Sequence, residues 1–147
     1  MKISLRSHLP TDFETLYEID QQCYEPAIAY SRRELRMYLR FPGADCILAE
    51  SDCKTIGFSI TAHRRTEGYI ITMDVLAPYR RKGVASALLS EAERRLSAEG
   101  VQRIGLETAV DNLPGIAFWE RHGYRKIGIE KNYYPGGRDA FSMMKSL

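Results

Sequence analysis

The residues best suited to chemistry form a basic turn followed by small side chains, Arg80-Arg81-Lys82-Gly83-Val84-Ala85. An apolar strand pattern precedes this turn and an amphipathic helix pattern follows it. A helix start presents backbone N–H groups without intrahelical partners and a partial positive charge. Small residues at Gly83 and Ala85 would let an anionic diphosphate approach those donors closely. The alternative is a solvated basic turn, although cations at a helix N-terminus are locally unfavourable, which favours an anion there.

A single carboxylate, Glu107, ends the otherwise apolar run Ile104-Gly105-Leu106. A carboxylate in such a strand is costly to bury, so it is expected to face water, a partner or a cleft. Glu107 is therefore a candidate general base, and the alternative is a surface carboxylate at the end of a strand.

The segments around these residues show both strand and helix periodicities. Strands are predicted over residues 2–6, 46–50, 56–62, 69–76, 102–108, 124–131 and 140–145. Capping boxes at Thr11–Glu14 and Ser31–Glu34 predict two helix starts, and further helices are predicted from Lys82 to Gly100 and from Asn112 to His122. The strand, helix, strand order predicts a parallel crossover. The predicted class is α/β, with a mostly antiparallel sheet flanked by helices, in a single domain over residues 1–147.

The composition argues against several functional classes. The chain has 147 residues, 44% apolar and 27% charged, which is typical of an ordinary globular protein. Basic residues outnumber acidic ones by only 21 to 19 and are spread along the chain, so no nucleic-acid partner is expected. No segment has the apolar length of a bilayer span or a secretory signal, so we expect no membrane partner and a cytoplasmic location. The cysteines lack metal-ligand spacing, so no metal is expected.

The basic turn also fits the coenzyme A motif of the GNAT superfamily of N-acetyltransferases, which reads Arg or Gln, two residues, Gly, one residue, then Gly or Ala. Arg80, Gly83 and Ala85 occupy those positions. Further matches follow in the expected order along almost the whole chain. Within the superfamily, the chain most resembles the ribosomal-protein alanine acetyltransferases and related protein N-terminal acetyltransferases. This second likeness is carried by Leu106-Glu107, Asn112, Ile116-Ala117, Gly123-Tyr124, Asn132-Tyr133-Tyr134 and Asp139-Ala140.

The resemblance implies the GNAT fold, with its parallel strand pair at the cofactor cleft, and acetyl-coenzyme A (acetyl-CoA) as co-substrate. It implies that backbone groups of Met73 and Val75 pair with the pantetheine arm. It implies a diphosphate site formed by Arg80, Arg81, Lys82, Gly83, Val84, Ala85 and Ser86. Asn112 and Phe118 would line the path of the thioester arm. The residue types alone favour a core side chain for Phe118 and equally allow Asn112 to be a helix N-cap.

Acetyl transfer to an amine requires a neutral amine, a stabilised oxyanion and a leaving thiolate. A protein α-amine has a pKa of about 8 and a lysine of about 10, so the α-amine demands less of a base. The resemblance implies that Glu107 removes the proton through a water, and a backbone N–H near Val75, exposed by a bulge or splay, would stabilise the oxyanion. The expected acceptor is the N-terminal α-amine of a protein or peptide. The alternatives are a small-molecule amine, such as a polyamine, amino acid or aminoglycoside, and an acyl-CoA-binding module with weak turnover.

Trp119 departs from the pattern of the ribosomal-alanine group, in which a tyrosine at that place protonates the leaving thiolate. Indole cannot act as that acid. We predict that Tyr134 replaces it, because Tyr133-Tyr134 lies in the region that borders the peptide site in the resembling enzymes. Tyr133 and Tyr30 are expected to contact the acceptor. The alternatives are amphipathic hairpin residues for the two neighbouring tyrosines and, for Tyr30, a hydrophobic staple of the helix capped by Ser31.

Overall fold

One seven-stranded sheet with the order β1-β2-β3-β4-β5-β7-β6 organises the computed structural model, which describes residues 1–147. The strands are β1 (Ser4–Ser7), β2 (Asp45–Ser51), β3 (Lys54–Arg64), β4 (Glu67–Val75), β5 (Arg103–Ala109), β6 (Arg125–Tyr134) and β7 (Arg138–Ser146). The helices are α1 (Phe13–Cys23), α2 (Arg32–Leu39), α3 (Val84–Ala98) and α4 (Leu113–Arg121). All neighbouring strands are antiparallel except β4 and β5, which α3 connects. The predicted fold class is therefore confirmed. None of the helices combines the length and apolarity needed to cross a bilayer.

Helices pack on both faces of the sheet because successive strand residues point to opposite sides. In β2, Cys46 and Leu48 face the cluster that contains α1 and α2. Ile47 and Ala49 face the cluster that contains α3. All four are buried, which explains why this strand reads as a continuous apolar run rather than as an alternating one.

The start of α1 differs from the predicted Thr11 capping box. Residues Pro10–Asp12 form a 3-10 turn, and the Leu9 N–H donates to the Asp12 carboxylate at 2.7 Å. Arg6, which lies on β1, donates two hydrogen bonds to the same carboxylate, at 2.8 and 2.9 Å. The Thr11 prediction was wrong because this non-local partner draws Asp12 into the capping role.

The second capping box is confirmed at the start of α2. The Glu34 N–H donates to the Ser31 hydroxyl at 3.1 Å, and the Ser31 N–H donates to the Glu34 carboxylate at 3.0 Å. Both donors would otherwise lack partners at this helix end. The box therefore fixes the point at which the α1–α2 loop ends, and that loop borders the cleft described below.

The parallel pair of β4 and β5 is short. It extends only from Glu67 with Arg103 to Tyr69 with Gly105, after which the two strands part. A register shift against β3 leaves Ile71 as an extra residue in β4. The expected opening near Val75 is therefore a splay that begins after Tyr69, and the bulge lies at Ile71 rather than beside Val75. The splay leaves the later part of β4 with a free edge.

Candidate active site

A cleft of about 1020 Å³ lies where β4 and β5 part. The α1–α2 loop, α4 and the β6–β7 hairpin border it. Its lining includes the predicted site residues Tyr30, Met73, Ala85, Glu107, Asn112, Phe118, Tyr133 and Tyr134. The other predicted residues, Val75, Arg80, Arg81, Lys82, Gly83, Val84 and Ser86, lie outside the lining, at the end of β4 and around the start of α3. Ala85 lies in the first turn of α3, so the helix start and the cleft adjoin.

The start of α3 presents a row of free backbone donors. Gly83 is the N-cap, with φ of 86°, and no side chain caps the helix. The backbone N–H groups from Arg81 to Ser86 donate to no acceptor within the chain, and the first bond of the helix runs from Ala87 to the Gly83 carbonyl at 3.0 Å. A Cβ added at Gly83 would meet no atom within 4 Å, so the space beside these donors is open. Open donors with a helix dipole behind them form a suitable anion site.

The free edge of β4 presents the backbone groups of Met73 and Val75 to the splay. The Leu76 N–H donates to the Ile56 carbonyl of β3 at 3.0 Å. Because successive residues of a strand direct their polar groups to opposite sides, the polar groups of Val75 and Met73 point away from β3. The ladder with β5 has already ended at Tyr69, so it supplies no partner there.

Side chains donate hydrogen bonds to the carbonyl groups on this edge, but no side chain accepts from its N–H groups. The Tyr24 hydroxyl donates to the Met73 carbonyl at 3.3 Å. The Val75 carbonyl accepts from Arg80 Nε at 2.8 Å and from Cys23 Sγ at 3.4 Å. Arg80 therefore ties the basic turn to the end of β4, a role that the sequence did not indicate. The Met73 and Val75 N–H groups stay available in the splay.

Glu107 faces the cleft within a cluster of hydroxyl groups. The Tyr69 hydroxyl donates to its Oε1, the Tyr133 hydroxyl lies 3.4 Å from the same oxygen, and the Ser142 hydroxyl lies 3.4 Å from Oε2. Burial and the hydrogen bond to Glu107 raise the pKa of Tyr69 well above its usual value. Tyr69 and Ser142 were not predicted from the sequence. The signal lies in the strand register, which pairs Tyr69 with Gly105 and Ser142 with Glu107.

Tyr133 and Tyr134 lie together at the end of β6. Their rings pack edge to face with centroids 4.9 Å apart. No hydrogen-bond partner within the chain engages the Tyr134 hydroxyl, and burial raises the pKa of Tyr134 to about 12. The Tyr134 phenol is therefore protonated at neutral pH and can donate a hydrogen bond into the cleft.

The structural roles that the residue types allow for Asn112 and Phe118 are both present at α4. Asn112 is the N-cap, since its Oδ1 accepts the Gly115 N–H at 3.2 Å. Phe118 packs against Trp119 at 5.0 Å and against His122 at 4.4 Å between ring centroids, and it borders the apolar cluster under α3. Both side chains also line the cleft, so their structural roles leave part of each surface available.

An unpredicted contact joins the first turn of α3 to the end of α4. Ser86 Oγ lies 3.1 Å from His122 Nε2, and His122 Nδ1 lies 2.9 Å from the Phe118 carbonyl. A carbonyl can only accept, so Nδ1 carries a hydrogen, and in the neutral ring Nε2 accepts from the Ser86 hydroxyl. Ser86 and Phe118, both predicted cofactor contacts, are therefore held through one histidine.

Tyr30 lines the cleft from the α1–α2 loop. Its N–H donates to Asp20 Oδ2 at 2.7 Å and its hydroxyl donates to the Ile71 carbonyl at 3.3 Å. Its ring packs on Tyr38 with centroids 4.8 Å apart. Tyr30 also packs against the cluster that contains Leu35 of α2, so it meets the helix as a staple and faces the cleft as well. No group of three or more His, Cys, Asp or Glu side chains in the chain is placed to hold a metal ion.

The model of the acetyltransferase (GNAT) family matches residues 13–124. An N-alpha-acetyltransferase of Saccharolobus solfataricus is 35% identical over 82 residues, which are 55% of this chain and 49% of that protein. The [Ribosomal protein bS18]-alanine N-acetyltransferase of Haemophilus influenzae is 30% identical over 87% of each chain. The crystal structure of the ribosomal-protein-S18-alanine N-acetyltransferase from Escherichia coli superposes with a TM-score of 0.89 at 26% identity, covering 99% of this chain and 94% of that one. The chain spans about half of the length of the archaeal N-alpha-acetyltransferases that it matches.

Proposed function

The chain belongs to the acetyltransferase (GNAT) family, and we propose that it transfers the acetyl group of acetyl-CoA to the N-terminal α-amine of a protein or peptide. The family prediction made from the sequence is confirmed by the family model and by the relatives. The acceptor is proposed from relatives named for N-alpha-acetylation and for acetylation of a ribosomal-protein alanine. A ribosomal or nascent-chain acceptor would place the reaction in the cytoplasm, which is the compartment that we propose.

The observation that carries the proposal is the row of unpartnered N–H groups from Arg81 to Ser86, which adjoins the cleft at Ala85. An ordinary helix leaves its first four N–H groups without intrahelical partners. Here the row extends back into the turn, where Arg81 and Gly83 both have positive φ, 60° and 86°. The diphosphate of acetyl-CoA would accept from these donors, and the N–H groups of Met73 and Val75 lie farther along the same route.

The chain's own residues supply the remaining needs of the reaction. Glu107 would accept the proton of the amine through a water, while Tyr69, Tyr133 and Ser142 hold its carboxylate in place. The Val75 N–H is available to the developing oxyanion. With a pKa of about 12, the Tyr134 phenol is a weaker acid than a thiol with a pKa of about 8.5, so Tyr134 would stabilise the leaving thiolate by donating a hydrogen bond rather than by full proton transfer.

The acceptor end of the cleft is lined with aromatic side chains, which include Tyr30, Tyr38, Tyr133 and Tyr134. Rigid amphipathic rings can bury the first side chain of a peptide and still donate hydrogen bonds to its backbone. We propose that Tyr30 and Tyr133 contact the peptide. The ring surface, together with the opening between the α1–α2 loop and the β6–β7 hairpin, suits an extended chain entering by its N-terminus.

The test is a panel of peptides with free N-termini beside the same peptides with blocked α-amines, polyamines, amino acids and an aminoglycoside. Release of coenzyme A is followed for each. We expect turnover with free peptide N-termini only. Turnover confined to small amines would overturn the proposed acceptor, and tight acetyl-CoA binding with no turnover on any acceptor would indicate a binding module instead.

A further inference from the structure

Two buried aspartates, Asp20 on α1 and Asp74 on β4, face each other beneath the cleft. Asp20 is 0% exposed and Asp74 is 1% exposed. The two side chains lie close enough to share a hydrogen bond, and the Tyr24 hydroxyl also lies beside Asp74, but Asp20 Oδ1 and Asp74 Oδ2 accept no hydrogen bond. No Lys, Arg or His forms an ion pair with either carboxyl group within 4.0 Å. Two carboxylates in contact, buried and without a counter-ion, cannot both be ionised at a tolerable cost.

The other oxygen of each group already has a donor. Asp20 Oδ2 accepts the Tyr30 N–H at 2.7 Å, and Asp74 Oδ1 accepts the Thr72 hydroxyl at 2.6 Å. Asp20 Oδ1 and Asp74 Oδ2 are therefore the two carboxyl oxygens left without a donor. A single proton placed there satisfies both oxygens and leaves one negative charge on the pair.

We propose that Asp20 and Asp74 share one proton, and that this hydrogen bond positions the α1–α2 loop against the strand that receives acetyl-CoA. Asp74 lies between Met73 and Val75, whose N–H groups face the splay, while Asp20 holds the backbone of Tyr30 at the acceptor side. The pair thus connects the two binding regions of the cleft. Its effect on acetyl transfer rests on the proposed function, whereas the shared proton does not.

The pair has few charged neighbours. The titratable or charged groups that face it from α1, the α1–α2 loop, β2 and the basic turn are Cys23, Tyr24, Tyr30, Cys46 and Arg80. Burial raises the pKa of each of these thiols and phenols, so they are uncharged at neutral pH. Arg80 donates its Nε–H to the Val75 carbonyl instead of pairing with either aspartate.

The shared proton has a definite consequence for stability. Burial, and then the hydrogen bond and the charge of Asp20, raise the pKa of Asp74 well above its usual value. The folded state therefore keeps a proton that the unfolded chain loses above about pH 4. The stabilisation is full below that pH and is lost as the pH rises toward the pKa of the folded pair. Over this range the unfolding constant grows by about tenfold per pH unit through this proton.

The test compares urea unfolding of the unmodified protein with that of Asp74→Asn and Asp52→Asn from about pH 5 to about pH 9. In the first variant an amide N–H replaces the shared proton permanently, so we expect the unmodified protein to lose stability relative to it by up to about tenfold per pH unit until the pH passes the pKa of the folded pair. Asp52 is exposed, and Asp52→Asn should follow the unmodified protein at every pH. A ratio between the unmodified protein and Asp74→Asn that does not change with pH would overturn the shared proton.

A spectroscopic measurement on the unmodified protein decides the matter even if Asp74→Asn does not fold. With ¹³C-labelled aspartate, one proton on the pair predicts carboxyl resonances at neutral pH that differ from those of ionised aspartates. Two resonances at the positions of ionised carboxylates at neutral pH would contradict the proposal.

The positioning role has its own kinetic readout. Asp74→Leu removes the donor to Asp20, and we expect the KM for a peptide acceptor to rise about tenfold, with Asp74→Asn restoring it. In the unmodified protein the acceptor KM should rise once the pH passes the pKa of the folded pair, and in Asp74→Asn it should not. Equal acceptor KM values for the Leu and Asn variants would refute the positioning role. If the stability difference is present but no amine is acetylated, the shared proton stands and the proposed function fails.

Discussion

At the scale of single residues, the cluster around Glu107 brings together side chains from four strands. Tyr69 comes from the start of β4, Tyr133 from the end of β6 and Ser142 from β7. Three hydroxyl groups leave the carboxylate few orientations, which is what a base acting through one water needs. Because a glutamine amide oxygen can accept from Tyr69 and Tyr133 while its NH2 donates to the Ser142 hydroxyl, an isosteric change at Glu107 can remove the base without removing the cluster.

Glu107→Gln is therefore expected to lower kcat by about 100-fold with little change in the KM of either substrate. The amide keeps an acceptor oxygen for Tyr69, so the midpoint of thermal unfolding should stay close to that of the unmodified protein. Release of coenzyme A with a reactive peptide measures the effect. Glu120→Gln, at an exposed position on α4, is the matched control and should be neutral. An unchanged kcat in Glu107→Gln would remove this residue from the mechanism.

Tyr134→Phe tests the proposed hydrogen bond to the leaving thiolate. We expect kcat to fall by about tenfold, since a thiol is a tolerable leaving group even without this donor. The pKa of Tyr134 is raised to about 12, so the phenol stays protonated across the working range of pH. The alkaline limb of the kcat profile should therefore be the same in both proteins. A limb that disappears in Tyr134→Phe would instead identify Tyr134 as the titrating group, contrary to its pKa.

At the scale of elements, the start of α3 combines an unusual backbone with open space. Gly83 and Gly100 flank this one helix with nearly equal φ values, 86° and 88°, and an added Cβ at either meets nothing within 4 Å. The two glycines thus carry the same backbone strain on substitution, on the order of 1 kcal/mol. Only Gly83 lies beside the free N–H groups. The same substitution at the two glycines therefore distinguishes an effect of backbone strain from an effect on ligand binding.

Gly83→Asp is expected to raise the KM for acetyl-CoA by about 100-fold, because a carboxylate would compete with the diphosphate for the same donors and repel it. Gly100→Asp should lower stability at least as much, since an acid is unfavourable at a helix C-terminus, yet leave that KM unchanged. Initial rates at varied acetyl-CoA together with thermal unfolding distinguish the two effects. Equal KM values in the two variants would place the diphosphate elsewhere.

Local signals predicted the elements well where the decisive partners lie close in sequence. The Ser31–Glu34 box and the glycine at position 100 both work within one helical turn, and both are present as predicted. The Thr11 box failed because Arg6, on a neighbouring strand, binds Asp12. A capping pattern indicates which groups can meet, whereas competition from another element depends on the tertiary structure.

In the candidate site, too, features formed by consecutive residues were predicted and features formed by contacts between distant elements were missed. The turn at residues 80–86 is recognisable because all of its donors are consecutive. Tyr69 was missed because its contact with Glu107 depends on where the parallel pair of strands ends, and that register leaves no trace in one sequence. Asp20 and Asp74 were missed for a related reason. Each reads as an ordinary polar residue until the packing of α1 on β4 brings the two carboxyl groups together.

At the scale of the whole molecule, the sheet consists of two parts joined by little backbone pairing. Strands β1 to β4 form one part and β5, β7 and β6 the other, and the strand pairing between them is limited to Glu67–Tyr69 with Arg103–Gly105. An ion pair between Glu25 and Arg138, at 2.7 Å, links the α1–α2 loop to β7, but both side chains are partly exposed, so it adds less than about 1 kcal/mol. A ligand lodged between the two parts would therefore stabilise the molecule as a whole.

Acetyl-CoA at about 100 times its Kd is expected to add about 2.7 kcal/mol to the free energy of unfolding and to raise Tm by about 5 to 10 °C. Hydrogen exchange shows where the ligand acts, because the N–H groups of Met73, Val75 and residues 81–86 have no acceptor in the free protein and should become protected. Acetyl-pantetheine lacks the diphosphate, so it should protect Met73 and Val75 and leave residues 81–86 exchanging as before. If saturating acetyl-CoA raises Tm while residues 81–86 still exchange freely, the ligand binds without using the helix start. The amides would then be an ordinary solvated turn.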